Sequence, residues 1–383
     1  MKKKFLGTVI LGLLTVIIAG CGNLQNSSLS TGGTDDSKKG KTVQTTNSSD
    51  GSSYNTLLQG KQYQTSAISG LSSGSNNNQF NLQSFESGLL DISNITFPTK
   101  DYTLQEGQIL KAADVQKWLQ RKSKDNPDGL NPEDNGNTDP KKRNPLYLSQ
   151  ILENDFYKES GNGYSLAGIS IGLSMNQIDY YTKVQYGATF STKISDADRI
   201  EQGKKMANEI VSRLRGYKKS KDLPITVALY SAEPVDSLVG GNYFMYGVSK
   251  NGNKSIGDWK DVSNNSQVLP LVGNSKAINS ADLDSFTSFK SHIQNYFPKL
   301  SGVVGKVHYK DGNLKQMSIT INTQFFGVSE VRSFTQYVED AASTYLPSGV
   351  PIEIKIESVN GMQSFVARDL GQKNFYSHVF NDY

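Results

Sequence analysis

Cys21 is the only thiol in 383 residues, and it closes an uncharged run that extends from Phe5 to Gly20. A thiolate can ligate a metal, pair in a disulfide or accept an alkyl group as a nucleophile. A single cysteine excludes an internal disulfide and any zinc site built from several thiolates. Chemistry on the thiol alone remains. Just before it, Ile18-Ala19-Gly20 places a branched apolar residue and two small ones beside a peptide bond. Small side chains let a peptidase approach that backbone closely.

Ahead of the run stand Lys2, Lys3 and Lys4, the only charged side chains before Cys21. Phe5 to Gly20 is too short for a comfortable bilayer span, which needs about 20 apolar residues. It suits the apolar region of an export signal behind a basic start. The four residues Ile18-Ala19-Gly20-Cys21 resemble the lipobox of bacterial lipoproteins. That resemblance implies signal-peptidase cleavage between Gly20 and Cys21, a diacylglyceryl group on the Cys21 thiol, and lipoprotein-processing enzymes as partners. Localisation is then extracytoplasmic, with the chain lipid-anchored to the cell membrane. Two or three acyl chains, at about 0.8 kcal/mol per buried CH₂, hold a protein far more firmly than one.

Other reactive side chains are sparse. His308 alternates with Lys306 and Lys310 opposite Val303, Val307 and Tyr309, so it is expected to face solvent. His292 is expected on a helix flank, and His378 near a mobile C-terminus. Glu201, Glu209, Glu330 and Glu339 have the spacing of solvated helix faces, and Glu353 and Glu357 flank Lys355 on an outward strand face. No G-x-S-x-G, H-E-x-x-H, P-loop or strand-linked dinucleotide fingerprint occurs. "DNPDGLNPEDNGNTDP", residues 125 to 140, is rich in carboxylates and amides but lacks the alternation and terminal glutamate of a calcium loop. It reads as a structured surface loop. No catalytic residue, cofactor or metal is predicted. The body reads as a surface binding or scaffold module for a peptide, a glycan, or an envelope or host protein. Tyr180, Tyr181, Tyr186, Tyr243, Phe244 and Tyr246 are either its candidate platform or rings that close the core and pack under loops. The alternative is a wall-associated hydrolase with two carboxylates distant in sequence.

Charge narrows the partners further. The formal net charge is +4, and the three lysines before Cys21 account for most of it. The short basic patches Lys38 to Lys41, Lys141 to Arg143 and Lys218 to Lys221 sit among acidic or polar neighbours, so nucleic acid is not a predicted partner.

The elements that must position any site follow from the apolar pattern. Residues 21–53 contain few large apolar side chains and are expected to form a disordered tether spanning on the order of 30 Å. Residues 54–163 read as a helical and irregular region, with helical spacing in Ala112 to Lys122 and in Pro145 to Tyr157. Residues 164–383 read as an α+β domain of mixed or antiparallel sheets packed by amphipathic helices. Its strands are expected in "YSLAGISIGLSM", "LPITVALYS", "NYFMYGVS", "PIEIKIESV" and "MQSFVARDL", with a hairpin turning at Asp311-Gly312-Asn313. Ser195 and Ser280 are expected N-caps, and a third helix runs through Val331, Phe334, Val338, Ala341 and Tyr345. Repetition of helix, strand, strand suggests two similar halves, 164–262 and 280–370.

Several blocks resemble the CamS family of Gram-positive lipoproteins, described as sex-pheromone precursors. They include "YNTLLQG", "SGLLDISNITFPT", "YLSQILENDFY", "GISIGLSMNQIDYY" and "GKKMANEIVSRLR", and they run in order through the chain after Cys21. The resemblance implies that the named activity resides in the discarded segment. Trimming of the released signal peptide would leave a fragment within Leu13, Leu14, Thr15, Val16, Ile17, Ile18, Ala19 and Gly20. The resemblance implies that such a fragment acts as a short apolar peptide sensed by plasmid-bearing cells. The resemblance implies no reaction for the body.

Overall fold

The computed structural model describes residues 43–46, 53–74, 78–161, 163–296, 302–324 and 327–380. Its first strands, β1 (Val43–Thr45) and β2 (Leu57–Gln59), pair antiparallel. Helix α1 (Gln79–Thr96), β3 (Thr103–Glu106), α2 (Ala112–Leu119), β4 (Leu148–Ser160) and β5 (Gly163–Asn176) follow. A projecting hairpin, β6 (Ile178–Thr182) and β7 (Thr189–Lys193), leads to α3 (Asp196–Leu214), β8 (Ile225–Ala232), β9 (Asn242–Ser249) and β10 (Trp259–Asp261). The rest is β11 (Asn264–Leu269), α4 (Ser280–Tyr296), β12 (Gly302–Lys310), β13 (Asn313–Asn322), α5 (Val328–Tyr345), β14 (Ile352–Ser358), β15 (Gly361–Arg368) and β16 (Tyr376–Val379). The fold is α+β with mixed sheets.

Two six-stranded sheets carry it, ordered β10-β9-β8-β5-β4-β3 and β11-β12-β13-β14-β15-β16. In each, one parallel pair lies at the centre, β5 with β8 and β13 with β14, and every other pairing is antiparallel. A helix makes each parallel crossover, α3 in the first sheet and α5 in the second, as two parallel neighbours require. A further helix, α2 or α4, lies between the first and second strands. Thr103–Asp261 and Asn264–Val379 therefore repeat one topology. The first repeat starts some sixty residues earlier than the sequence pattern suggests, and it takes in much of the region read as helical and irregular.

Pro145 to Tyr157 is not helical. Leu148, Ile151 and Leu152 mimic a helical stripe, but β4 is buried on both faces, and an interior strand loses the alternation that would reveal it. Fourteen-residue β5 pairs with it along its length. Within the stretch read as tether, β1 is ordered by β2, with Thr56 N–H donating to Thr46 Oγ1 at 2.8 Å.

Sheet alternation sorts the cores. Ile225, Val227 and Leu229 of β8 face α2 and α3, whereas Ala228, Tyr230 and Ala232 face Phe85, Leu89 and Ile92 of α1. The second sheet buries one face under α4 and α5, through Phe286, Phe289, Ile293, Phe334 and Val338. Ser195 caps α3, accepting from Asp198 N–H. At α4 the cap is Asn279, not Ser280, since Asn279 Oδ1 accepts from Ala281 N–H at 2.9 Å. The β12–β13 hairpin turns at Asp311 and Gly312, both with positive φ, as a two-residue type I′ turn demands.

Leu89 is fully buried beneath α1, and Leu82 on the same helix is exposed. Leu89→Ala is expected to lower the unfolding free energy by about 3 kcal/mol and Leu82→Ala by less than about 0.5 kcal/mol. Urea titration followed by circular dichroism checks both.

Candidate functional site

α1 covers one face of the first sheet and forms one wall of a cleft whose other wall belongs to the second sheet. Asn78 caps it, accepting from Phe80 N–H at 2.8 Å. Asn81 fixes its first turn to the loop after β8. Its Oδ1 accepts from Glu233 N–H and Gly241 N–H, both at 3.0 Å, and its Nδ2 donates to Glu233 O at 2.9 Å. A Cβ on Gly240 would lie 2.1 Å from Ser84 Oγ and 2.2 Å from Phe80 O, so only glycine lets the loop approach so closely.

The cleft has a volume of about 380 Å³ and is lined by Phe80, Ser87 and Asp91 of α1, with Ser266, Lys306 and His308 opposite. A second cavity of about 350 Å³ continues it past Asn242 and Asn264 toward Gln177, Arg199 and Glu233. Lys306 Nζ lies 3.3 Å from the centroid of the Phe80 ring, a cation–π contact that crosses the cleft. Burial, then repulsion from Lys355, pulls the Lys306 ammonium below its usual range.

His308 is half-buried here rather than facing solvent. The alternation reading was right about which sheet face it occupies. That face is covered by α1, an element from the other end of the chain. Ser266 Oγ donates to Asn242 Oδ1 at 2.9 Å and lies 3.1 Å from His308 Nδ1. With its own hydrogen committed, Ser266 accepts from Nδ1–H, which leaves Nε2 as the acceptor. Burial pulls the imidazole below its ordinary value, against the attraction of Asp91. Burial also raises the Asp91 carboxyl, against His308 and Lys310. Asn264 Oδ1 and Arg199 Nε are buried without a partner among the described residues. The two neighbouring cavities, which share Asn242 and Asn264 in their linings, thus offer amides, hydroxyls, one imidazole and compensated charges, a chemistry suited to recognising a polar molecule.

The other sequence-derived candidates lie apart from it. Cys21, the residues Leu13 to Gly20 and the processing site are outside the described residues. His292 stacks on Tyr337 with centroids 4.8 Å apart, on the α4–α5 side of the second sheet. His378 lies in β16, paired with β15, against Phe365 and Phe380. Tyr243 and Tyr246 are buried under α1 and Phe244 is half-buried, so they form no exposed platform. Tyr180 and Tyr181 are half-buried along β6, opposite Ser191 and Phe190, and Tyr186 is exposed at the hairpin's tip. In the 125–140 loop, Asp134, Asn135, Asn137 and Asp139 each accept from a backbone N–H two residues on. Among the described residues, no group of three His, Cys, Asp or Glu converges as a metal site.

The profile described as "CamS sex pheromone cAM373 precursor" matches residues 63–374, most of the chain. The chain belongs to the CamS family. The CamS body is also seen in solved structures. A sex pheromone precursor from Lactobacillus salivarius subsp. salivarius UCC118 is 46% identical, with a TM-score of 0.84 over 89% of this chain and 100% of that one. The C-terminal domain of the sex pheromone staph-cAM373 precursor from Staphylococcus aureus is 30% identical, with a TM-score of 0.68 over 80% of this chain and 98% of that one. No curated protein matches. No helix among the described residues is long and apolar enough to cross a membrane.

Sequence reading missed a buried carboxylate pair. Glu153 and Asp155 of β4 are fully buried. Glu153 accepts from Ile109 N–H at 3.2 Å and Leu110 N–H at 3.0 Å, and Asp155 accepts from Gln108 N–H at 2.9 Å. Burial pushes Glu153 up to about 7 and Asp155 upward also, helped by the Glu153 charge. The signal was present in "ILENDFY", two acids among apolar residues, and helical spacing there drew the reading away from a strand buried on both faces. Neither acid lines the cleft; they hold the 107–110 loop.

A carboxyl raised in the folded state binds its proton more tightly there than in the unfolded chain. Its contribution is present below about pH 4.5 and is lost as pH rises through about 7. Glu153→Gln is therefore expected to flatten the fall in stability across that window, as read by melting temperature against pH.

Proposed function

We propose that this CamS-family chain is made as a lipoprotein whose two products part at Gly20-Cys21. The downstream product is held to the outer face of the cell membrane by acyl chains on Cys21. The upstream product yields an apolar peptide lying within Leu13 to Gly20 that acts as a sex pheromone. Family membership over residues 63–374 carries this reading, and the export pattern closing on the chain's single cysteine supports it. An uncharged peptide of this kind would partition into bilayers and fit an apolar receptor groove.

Cys21→Ser is expected to shift the protein from the membrane fraction to the medium or to an uncleaved precursor, as read by fractionation and metabolic labelling with a fatty acid. Synthetic LTVIIAG is expected to induce plasmid transfer in a responsive recipient. Silence across a panel of recipients would remove the signalling half of the proposal and leave the anchoring half standing.

For the body we infer a binding module whose site is the channel between α1 and the second sheet. Its paired small cavities, joined at Asn242 and Asn264, favour an extended peptide or glycan over a compact metabolite. Isothermal titration of the soluble chain against short peptides and oligosaccharides tests this. A ligand that fills the channel should bind roughly tenfold more weakly to Asn242→Ala, because a half-buried amide partner shared by both cavities is lost.

A further inference from the structure

The β6–β7 hairpin has no counterpart in the second half. It is inserted between β5 and α3, where the second half passes from β13 to α5 through a short loop. The sheet does not need it to close, and its tip presents what a fold ordinarily hides. Tyr186 is 96% exposed and Val184 68%, beside exposed Phe190. The loop after β8 reaches the same end of the sheet, since β5 and β8 run parallel, and adds Val235 at 47% and Leu238 at 52%. Tyr180 ties the two together, its hydroxyl accepting from Val235 N–H at 3.4 Å. Exposed Lys183 and Lys193 flank the hairpin, with Lys183 Nζ 4.3 Å from the Phe190 ring centroid. The one acid of the hairpin, Asp179, is buried against Arg143 at 2.5 Å, although Asp236 stands in the neighbouring loop.

The chain's own path says what this end faces. β3 runs toward the Leu148 end of β4, which is the end where β5 finishes and the hairpin begins. β2 runs parallel to β3 through the Thr56–Leu104 bridge, and β1 runs back antiparallel to β2. Val43 is therefore entered from the hairpin's end of the sheet. Between Cys21 and Val43 the chain can reach at most about 75 Å, so the proposed anchor at Cys21 would enter at that end and keep it within reach of the bilayer.

We propose that the β6–β7 hairpin, with the Val235–Leu238 loop, is a membrane-contacting finger that inserts Val184, Tyr186 and Phe190 into the lipid interface. Aromatic rings and snorkelling lysines are the side chains that bilayer interfaces favour. Apolar burial and anionic headgroups attracting Lys183 and Lys193 both contribute to binding. The orientation rests on the anchoring proposed above, but the contact does not.

The test uses the unacylated chain from Gly22 to Tyr383, so its outcome is independent of Cys21. Sedimentation with vesicles of equal phosphatidylglycerol and phosphatidylcholine at low ionic strength should show binding. Val184→Asp with Tyr186→Asp should weaken it by about tenfold or more. Val359→Asp with Leu370→Asp, equally exposed apolar sites elsewhere in the chain, should leave it unchanged. Tyr186→Trp should report insertion independently, its emission shifting to the blue and being quenched by brominated lipid. No vesicle binding by the parent chain, equal binding by the finger and control variants, or an unquenched tryptophan would overturn the proposal. So would a finger that captures a protein but no vesicle.

Discussion

The first-turn side chain of one helix holds the candidate site open. Asn81 is almost wholly buried and spends its amide on Glu233 and Gly241, while Tyr230 donates to its Oδ1 at 3.1 Å. A buried amide left half-satisfied would cost a few kcal/mol, so the helix and the loop after β8 keep their relative position. Around that fixed point Phe85, Leu89 and Ile92 find their pocket on the first sheet, and the opposite flank of α1 is left to face Lys306 and His308. Without α1 the second sheet would lose the wall that faces Lys306 and His308, and with it the larger of these two cavities.

Both halves use the same strand order and differ in what is added to them. The first gained α1 on its second face and the β6–β7 hairpin at one end. The second retained an open face along Lys355, Phe365 and Tyr376. Both additions sit where surface is unsatisfied by the repeat itself. Binding features placed on a rigid scaffold, outside the elements that close it, are a general arrangement.

Local pattern revealed much of this and hid the rest for definite reasons. The α3 helix, its Ser195 cap, strands β5, β8 and β9 and the Asp311-Gly312 turn are legible because each signal is short-range. β4 is not, since a strand buried on both faces has no polar side to mark its period, and two of its buried residues are acids. α1 escapes because its apolar residues follow a tract of Ser and Asn that reads as loop, whereas Asn78 within that tract is the cap. His308 shows a deeper limit. Its strand face can be inferred from alternation, but burial is conferred by a helix more than two hundred residues away, and no local window contains that information.

Only Val262 and Ser263 separate β10 of the first sheet from β11 of the second. Val262 N–H donates to Phe244 O at 2.9 Å, and Ser263 O accepts from Asp311 N–H at 2.8 Å, so each residue of the link is already stitched into a different half. Such a joint has almost no slack to act as a hinge. The channel is consequently a preformed slot rather than a jaw, and a ligand that enters it meets walls whose spacing was set during folding. Selectivity in such a slot comes from the width and spacing of the guest chain, and its association rate is set by entry rather than by closure.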